Sequence, residues 1–285
     1  DYLSAAQETW KVTPNVIWNL HRPENKLITA NKEVILGLPN RGEQSRIDFQ
    51  TMRIFAPWYN SGSLKDPYAV NAMDLYARNN NNYREDTDWG RAVGRGIGTH
   101  RPTGFAQHEM WIVNGVEDTD DLRHNSKVGN WINMEDITYS SAGSTLRGKN
   151  LMLYSDRDIP ALDKDGNQER DEKGELVWTR RIGDILTIDT IRCWYDWPHY
   201  KIYISDATNE ANMGSNAYVG GTKGSTSDWY FYRLAEAYLL RAEAKFYMGD
   251  ATATEDLNIL RRRAKCSQLY TGNVTIGDIM NERGR

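Results

Sequence analysis

A mainly α-helical scaffold of the tetratricopeptide type, carrying a large loop-rich region and short β-hairpins, is predicted by three observations. Residues 232–266 combine a helical apolar period, a Gly-Asp break and a second periodic run. Residues 79–104 and 206–227 are long, polar and rich in Asn or Gly, as surface loops are. Residues 163–174 hold two turn dipeptides, Asp165-Gly166 and Lys173-Gly174, which suit consecutive hairpins.

The helical pair is the best-specified element. Leu234, Ala235, Tyr238, Ala242 and Phe246 recur at steps of three and four, so they predict one core-facing stripe. Leu239, Leu240 and Ala244 widen it toward a second neighbour. Gly249 and Asp250 stop the first helix where positive φ is wanted. Thr252 and Glu255 have the spacing of a capping box, and Ala253, Leu257, Leu260 and Ala264 give the buried face of the second helix. One such unit cannot bury both faces, so it expects stacked neighbours. A further helix, capped by Thr275 with Asp278, is predicted near the C-terminus.

Upstream, residues 1–33 mix an apolar-aromatic pattern with a polar loop, and residues 34–38 (VILGL) fit a buried strand. Residues 57–63 (PWYNSGS) place an aromatic pair among turn formers, and residues 67–78 predict a helix with Pro in its first turn. Residues 105–150 read as short elements joined by turns. Residues 163–174 begin D-x-D-G like a calcium loop. Their glycine and terminal acid fall at the wrong positions, so hairpin turns explain them more simply and no metal is expected. Residues 176–204 are rich in β-branched and aromatic residues and predict strands packed on the helical body.

Bulk properties exclude several classes. The 285 residues carry a net charge of −4, without the basic footprint that neutralises phosphates, so no nucleic-acid partner is expected. No apolar run approaches the roughly 20 residues of a membrane span. Cys193 and Cys266 stand in dissimilar contexts; the sequence leaves their pairing open and offers no CxxC metal spacing. Nucleophile elbow, zinc helix, Walker loop and dinucleotide fingerprint are all missing. His100, His108 and Glu109 do not match a ligating pattern. Thirty-nine acidic residues supply no marked pair for glycoside hydrolysis. No enzyme and no cofactor are expected.

Ten Trp and sixteen Tyr against five Phe favour half-exposed plates with a polar edge. Such plates set in Asn- and Asp-rich loops suit saccharides: the ring stacks on the apolar face of a pyranose while amides, carboxylates and guanidinium take hydroxyls. Loop context therefore nominates Trp58, Tyr59, Tyr83, Trp89 and Trp111 as platforms, with Asn60, Asn82, Asp88 and Arg91 as hydroxyl partners. A loop tied down by its own aromatics is the alternative. Arg91, Arg95 and Arg101 could instead take a peptide carboxylate. A protein-binding adaptor of the tetratricopeptide type is the reading from another class.

The phrase RLAEAYLLRAEA (233–244), the Gly-Asp turn, LNILRRRA (257–264) and NERGR (281–285) together resemble the C-terminal signature of the SusD/RagB family. Weaker matches lie upstream in order: HRPT at 100–103, Asp-Leu-Arg at 121–123 and Trp-Pro-x-Tyr-Lys at 197–201. The resemblance implies a non-catalytic, cell-surface nutrient-binding lipoprotein of the outer membrane. Such a protein closes as a lid over a SusC-like TonB-dependent transporter and delivers an oligosaccharide. It implies a signal peptide, a lipid anchor and an N-terminal helical half outside these residues. It also implies two regions, a loop-rich ligand-binding part at 1–225 and a helical part at 226–285, the latter cut short.

Overall fold

The structure, a computed structural model, describes residues 12–39, 55–58, 62–72, 98–202 and 228–285. Helices are its longest elements and its strands are short. The described elements are α1 (Val16–His21), β1 (Val34–Leu38), α2 (Gly104–Gln107), β2 (Ile112–Val113), β3 (Val116–Glu117), β4 (Trp131–Ile132), β5 (Ile159–Pro160), β6 (Trp178–Arg180), α3 (Thr190–Cys193), β7 (Trp197–Pro198), α4 (His199–Ile202), β8 (Trp229–Arg233), α5 (Leu234–Tyr247), α6 (Ala253–Arg263) and α7 (Ile276–Gly284). The strands form antiparallel pairs β1–β8, β2–β3, β4–β7 and β5–β6.

The α5–α6 pair packs as its period predicts, with adjustments. Leu239 and Ala242 are the buried residues of α5, while Leu234 and Leu240 are exposed, so the stripe runs through 239, 242 and 246. On α6, Ala253, Leu257 and Ala264 are buried as expected. Ala253 and Leu257 meet Tyr270, Val274 and Ile279 in one apolar cluster that brings α7 against the pair, while Ala264 joins the cluster around Trp18. Asp256, almost fully buried, reaches back to α5 and takes Arg241 at 2.6 Å and Lys245 at 2.9 Å. The capping box expected at Thr252 is not formed. The Asp250 carboxylate takes the Thr252 amide at 2.8 Å, and Glu255 pairs with Arg262 instead. A short Asp side chain two residues before the amide takes the place that the Glu255 carboxylate would have in the box. At α7 the expected box of Thr275 and Asp278 is present in both directions.

Three other expectations change. Residues 34–38 form a strand, but not a buried one: Ile35 and Leu36 are 59% and 52% exposed in the two-stranded β1–β8 ribbon, whose register shifts on either side of Leu36. Residues 67–71 turn rather than start a helix. The Asp66 amide donates to Val70 O, and the Asp66 carboxylate takes the Val70 amide. Residues 73–78 of that expected helix lie outside the described residues. Residues 176–202 hold only β6 and β7 as strands, and Ile182, Ile185, Ile188 and Ile191 are exposed. Their spacing of three matches no strand period, and local turns and α3 take this stretch. The hairpin reading of residues 163–174 holds. Asp163 accepts the amides of Asp165 and Asn167, and Asp171 those of Lys173 and Glu175, all at 2.9 Å.

The main apolar cluster joins α1 to the 131–139 and 193–200 stretches through Trp18, Met134, Ile137, Tyr139 and Trp197. His199 is fully buried here, with Nδ1 3.0 Å from Gly129 O. Burial lowers its pKa to about 4. An unfolded imidazole titrates near 6.5 and the folded one near 4, so the unfolded chain binds more protons between those values. Stability is therefore expected to fall as pH drops from about 6.5 to 4, by up to about 1.4 kcal/mol per pH unit. Urea midpoints at pH 7, 5.5 and 4.5 check this, and a His199 ring proton titrating at 6.5 would contradict it.

Beside this cluster lies a buried charge network. Arg123 holds Asp121 and reaches Glu282, each at 2.7 Å. Arg261 holds Asp118 at 2.7 Å and Glu282 at 3.2 Å, and Arg285 holds Glu282 at 2.8 Å. Asp118 also accepts the Ser267 hydroxyl and the Gln268 amide. Arg285 donates to Met110 O at 2.6 Å and to the Tyr270 hydroxyl at 2.8 Å. Cys266 lies 3.6 Å from Arg123 and remains a thiol, its pKa pushed up by burial; it and Cys193 are free cysteines.

Candidate functional site

Of the nominated residues, Trp58 and Trp111 are described. Tyr59, Asn60, Asn82, Tyr83, Asp88, Trp89 and Arg91 lie outside the described residues.

Trp58 is half-buried at a knot of chain segments. Its amide donates to Arg192 O at 2.7 Å, and its carbonyl accepts the Ser63 hydroxyl at 2.9 Å. The Arg192 guanidinium lies over the indole, 4.1 Å from its centre. Arg192 is placed by α3, whose first turn is capped by the Asp189 carboxylate accepting the Arg192 amide. Gly98 closes the knot from the far side. Its amide donates to Ala56 O at 2.8 Å, its φ is +61°, and a β-carbon there would meet Arg192 O at 2.4 Å. The Tyr195 hydroxyl sits 3.1 Å from both Phe55 O and His100 O, so one phenol ties both strands of the knot. Residues 59–61 and 73–97, which carry the other nominated residues, adjoin Trp58 and Gly98 in the sequence.

Trp111 is corrected from platform to core. It is 3% exposed, its indole N–H donates to Ala106 O at 2.8 Å, and its ring stacks on His124 at 4.3 Å with 8° between planes. The edge of Trp131 packs against it at 5.7 Å. No face is left for a ligand. The β2–β3 hairpin and the 3₁₀ turn at Glu109–Trp111 fold the ring inward, which loop composition alone could not reveal.

This aromatic floor supports a polar pocket of about 250 Å³ whose walls include His108, Glu117, His124, Asn125, Asn133 and Asp196. Burial lowers His124 to about 4, so it is a neutral donor and acceptor at ordinary pH. Burial raises Asp196, whose Oδ1 accepts the Met134 amide at 2.8 Å. Amides, imidazoles and carboxylates in this mixture are hydroxyl partners. No local pattern marks it, because its residues come from separate stretches. Among the described residues no group of three His, Cys, Asp or Glu side chains is arranged to hold a metal.

The comparisons agree with the architecture. A family model described as the SusD family matches residues 40–285. No curated protein and no solved structure matches the chain. The signature segments at 121–123, 257–264 and 281–285 meet in the buried network through Asp121, Arg123, Arg261, Glu282 and Arg285. Lys201, from the 197–201 segment, donates to Arg285 O at 3.4 Å. With the match covering most of its length, the chain belongs to the SusD family of nutrient-binding proteins in glycan uptake.

Proposed function

We propose that the protein captures an oligosaccharide on its loop-rich face and, as a lid held at the cell surface by a lipid anchor, delivers it to a TonB-dependent outer-membrane transporter. Capture and gating are its whole action, with no catalysis. The observation that carries the reading is the knot around Trp58. There an indole is fixed by backbone bonds and by Arg192 at the root of the segments bearing Tyr59, Asn60, Asn82, Tyr83, Asp88, Trp89 and Arg91. A plate held before the ligand arrives loses little entropy on binding. The polar pocket lined by His124 and Trp131 offers further hydroxyl partners. Peptide binding through Arg101 has less support, since its guanidinium lies over Tyr195 and reaches Ile191 O.

Open stacking sites of this kind are expected to bind in the micromolar to millimolar range, about −8 to −4 kcal/mol. Calorimetry against panels of neutral oligosaccharides and of peptides tests the reading. Trp58→Ala and Trp89→Ala are each expected to weaken glycan binding by about tenfold or more. Unchanged affinity in both variants, or binding of peptides alone, would overturn it. Recovery of a large barrel from an outer-membrane extract tests the lid.

A further inference from the structure

A second cleft, of about 450 Å³, opens between α1, the β1–β8 ribbon and the helices α5, α6 and α7. Its volume falls within the range of about 300–1,000 Å³ usual for small-molecule sites. Tyr200, Tyr230 and Tyr238 line it together with His21, Lys201 and Arg233.

The charges on its walls do not balance. Arg263 is held by Glu33, Arg283 by Glu236 and Glu243, and both Arg123 and Arg285 by Glu282. Arg233 and Lys201 have no carboxylate partner among the described residues. Lys201 makes one long contact, 3.4 Å to Arg285 O, and lies 5.6 Å from the Tyr200 ring; Arg233 lies 5.7 Å from the Tyr230 ring. The His21 imidazole is kept neutral, its pKa well below the usual value through its enclosure and then through Arg233, Lys26, Lys201 and Arg263. Arg233 and Lys201 line the cleft together with this imidazole.

A concave surface with surplus cations stabilises an anion, because charge-assisted hydrogen bonds to Arg and Lys are stronger than neutral ones. The rest of the wall is saccharide-like in its chemistry. The Tyr230 ring is fixed, since its hydroxyl sits 2.5 Å from Leu20 O and accepts from Asn31 at 2.8 Å. Tyr230 and Tyr238 supply apolar plates with polar edges over a floor that includes the buried Tyr200, and a neutral imidazole both donates to and accepts from hydroxyls. This combination selects for a sugar ring bearing an acid group.

We propose that this cleft is a second ligand site, for an acidic saccharide whose carboxylate or sulfate is held by Arg233 and Lys201 while its ring lies against the tyrosines. The inference rests on the glycan reading above and adds a substrate class, acidic glycans, and a separate place for their charge.

Calorimetry at low salt with galacturonate, galactose 6-sulfate and neutral galactose tests it on the full chain. The two acids distinguish carboxylate from sulfate recognition. At least one acid is expected to bind, galactose not measurably, and affinity should fall as salt is raised. Arg233→Gln and Lys201→Gln are each expected to weaken acid binding by about tenfold or more. Neither side chain is buried, so both variants should keep the fold, read by thermal unfolding. Failure of both acids to bind, equal binding of galactose, or unchanged affinity in both variants overturns the proposal. A neutral oligosaccharide measured on the same samples separates the two readings. Its binding without either acid overturns the cleft alone, and acid binding without it overturns the loop face alone.

Discussion

Arg261→Met is expected to lower stability in chemical denaturation by about 3–5 kcal/mol, the largest effect of any single substitution considered. Arg261 is fully buried and neutralises Asp118 and Glu282 while its guanidinium lies 5.4 Å from the Tyr270 ring. Methionine fills similar volume, so the loss comes chiefly from leaving the buried Asp118 without its cation, since Glu282 keeps Arg123 and Arg285. Removing that charge as well, in Asp118→Asn with Arg261→Met, should restore part of the loss. A single variant as stable as the parent, or a double variant no better than the single, would show that the network contributes nothing of this size. The same network sets a low-pH limit. Burial opposes ionisation of Glu282, but Arg123, Arg285 and Arg261 outweigh it and hold the carboxyl below its usual value. Burial likewise opposes ionisation of Asp121, and Arg123 outweighs it. Their stabilisation is present above the unfolded values, about 4.3 for Glu and 3.9 for Asp, and is lost as pH falls further through the folded ones. Acid unfolding should therefore show a second decline below about pH 4, after the imidazole decline above it.

Gly98→Ala should cost about 2–4 kcal/mol and also weaken glycan binding. The residue needs a left-handed backbone, which an L side chain adopts at a cost of about 1–2 kcal/mol. Its new methyl would also run into Arg192 O, which is backbone and cannot swing aside. The Arg192 carbonyl is the acceptor that fixes the Trp58 amide, so relief of the clash moves the plate itself. Denaturation and calorimetry on one sample check both effects. Lost stability with unchanged glycan affinity would separate the knot from the site.

Much of the helical end was legible because its information is local. Leu257 and Ala264 could be assigned to the core from spacing alone, and Thr275 with Asp278 announced their own cap. Thr252 misled because Asp250 competes for the same amide, a contest that spacing does not rank. The exposed Ile35 and the isoleucines at 182, 185, 188 and 191 misled for a related reason: β-propensity reports side-chain shape, while burial depends on what packs opposite. Trp111 could not be separated from Trp58 by composition, since both sit in mixed polar stretches. What divides them is a stacked His124 in one case and an Arg192 lid in the other, and both partners are distant in sequence or set by a turn. The polar pocket, and Arg233 and Lys201 without a carboxylate partner among the described residues, were invisible for the same cause. The family signature, by contrast, was readable as words without revealing that its words are the charges of one network.

That network also orders events in time. Arg285 bonds to Met110 across 175 positions, and Arg261 to Asp118 across 143. Closing such spans has an entropic cost that only the finished set of contacts offsets. The α5–α6 pair, built from near neighbours, can form early, whereas the stretch around residues 110–123 must wait for α7 before its carboxylates are matched. During synthesis residues 110–123 emerge well ahead of their partners and stay unlocked until α7 arrives. Glu282 and Arg285 therefore act as a latch on this stretch, and a chain ended before α7 should leave it open and prone to capture by proteases.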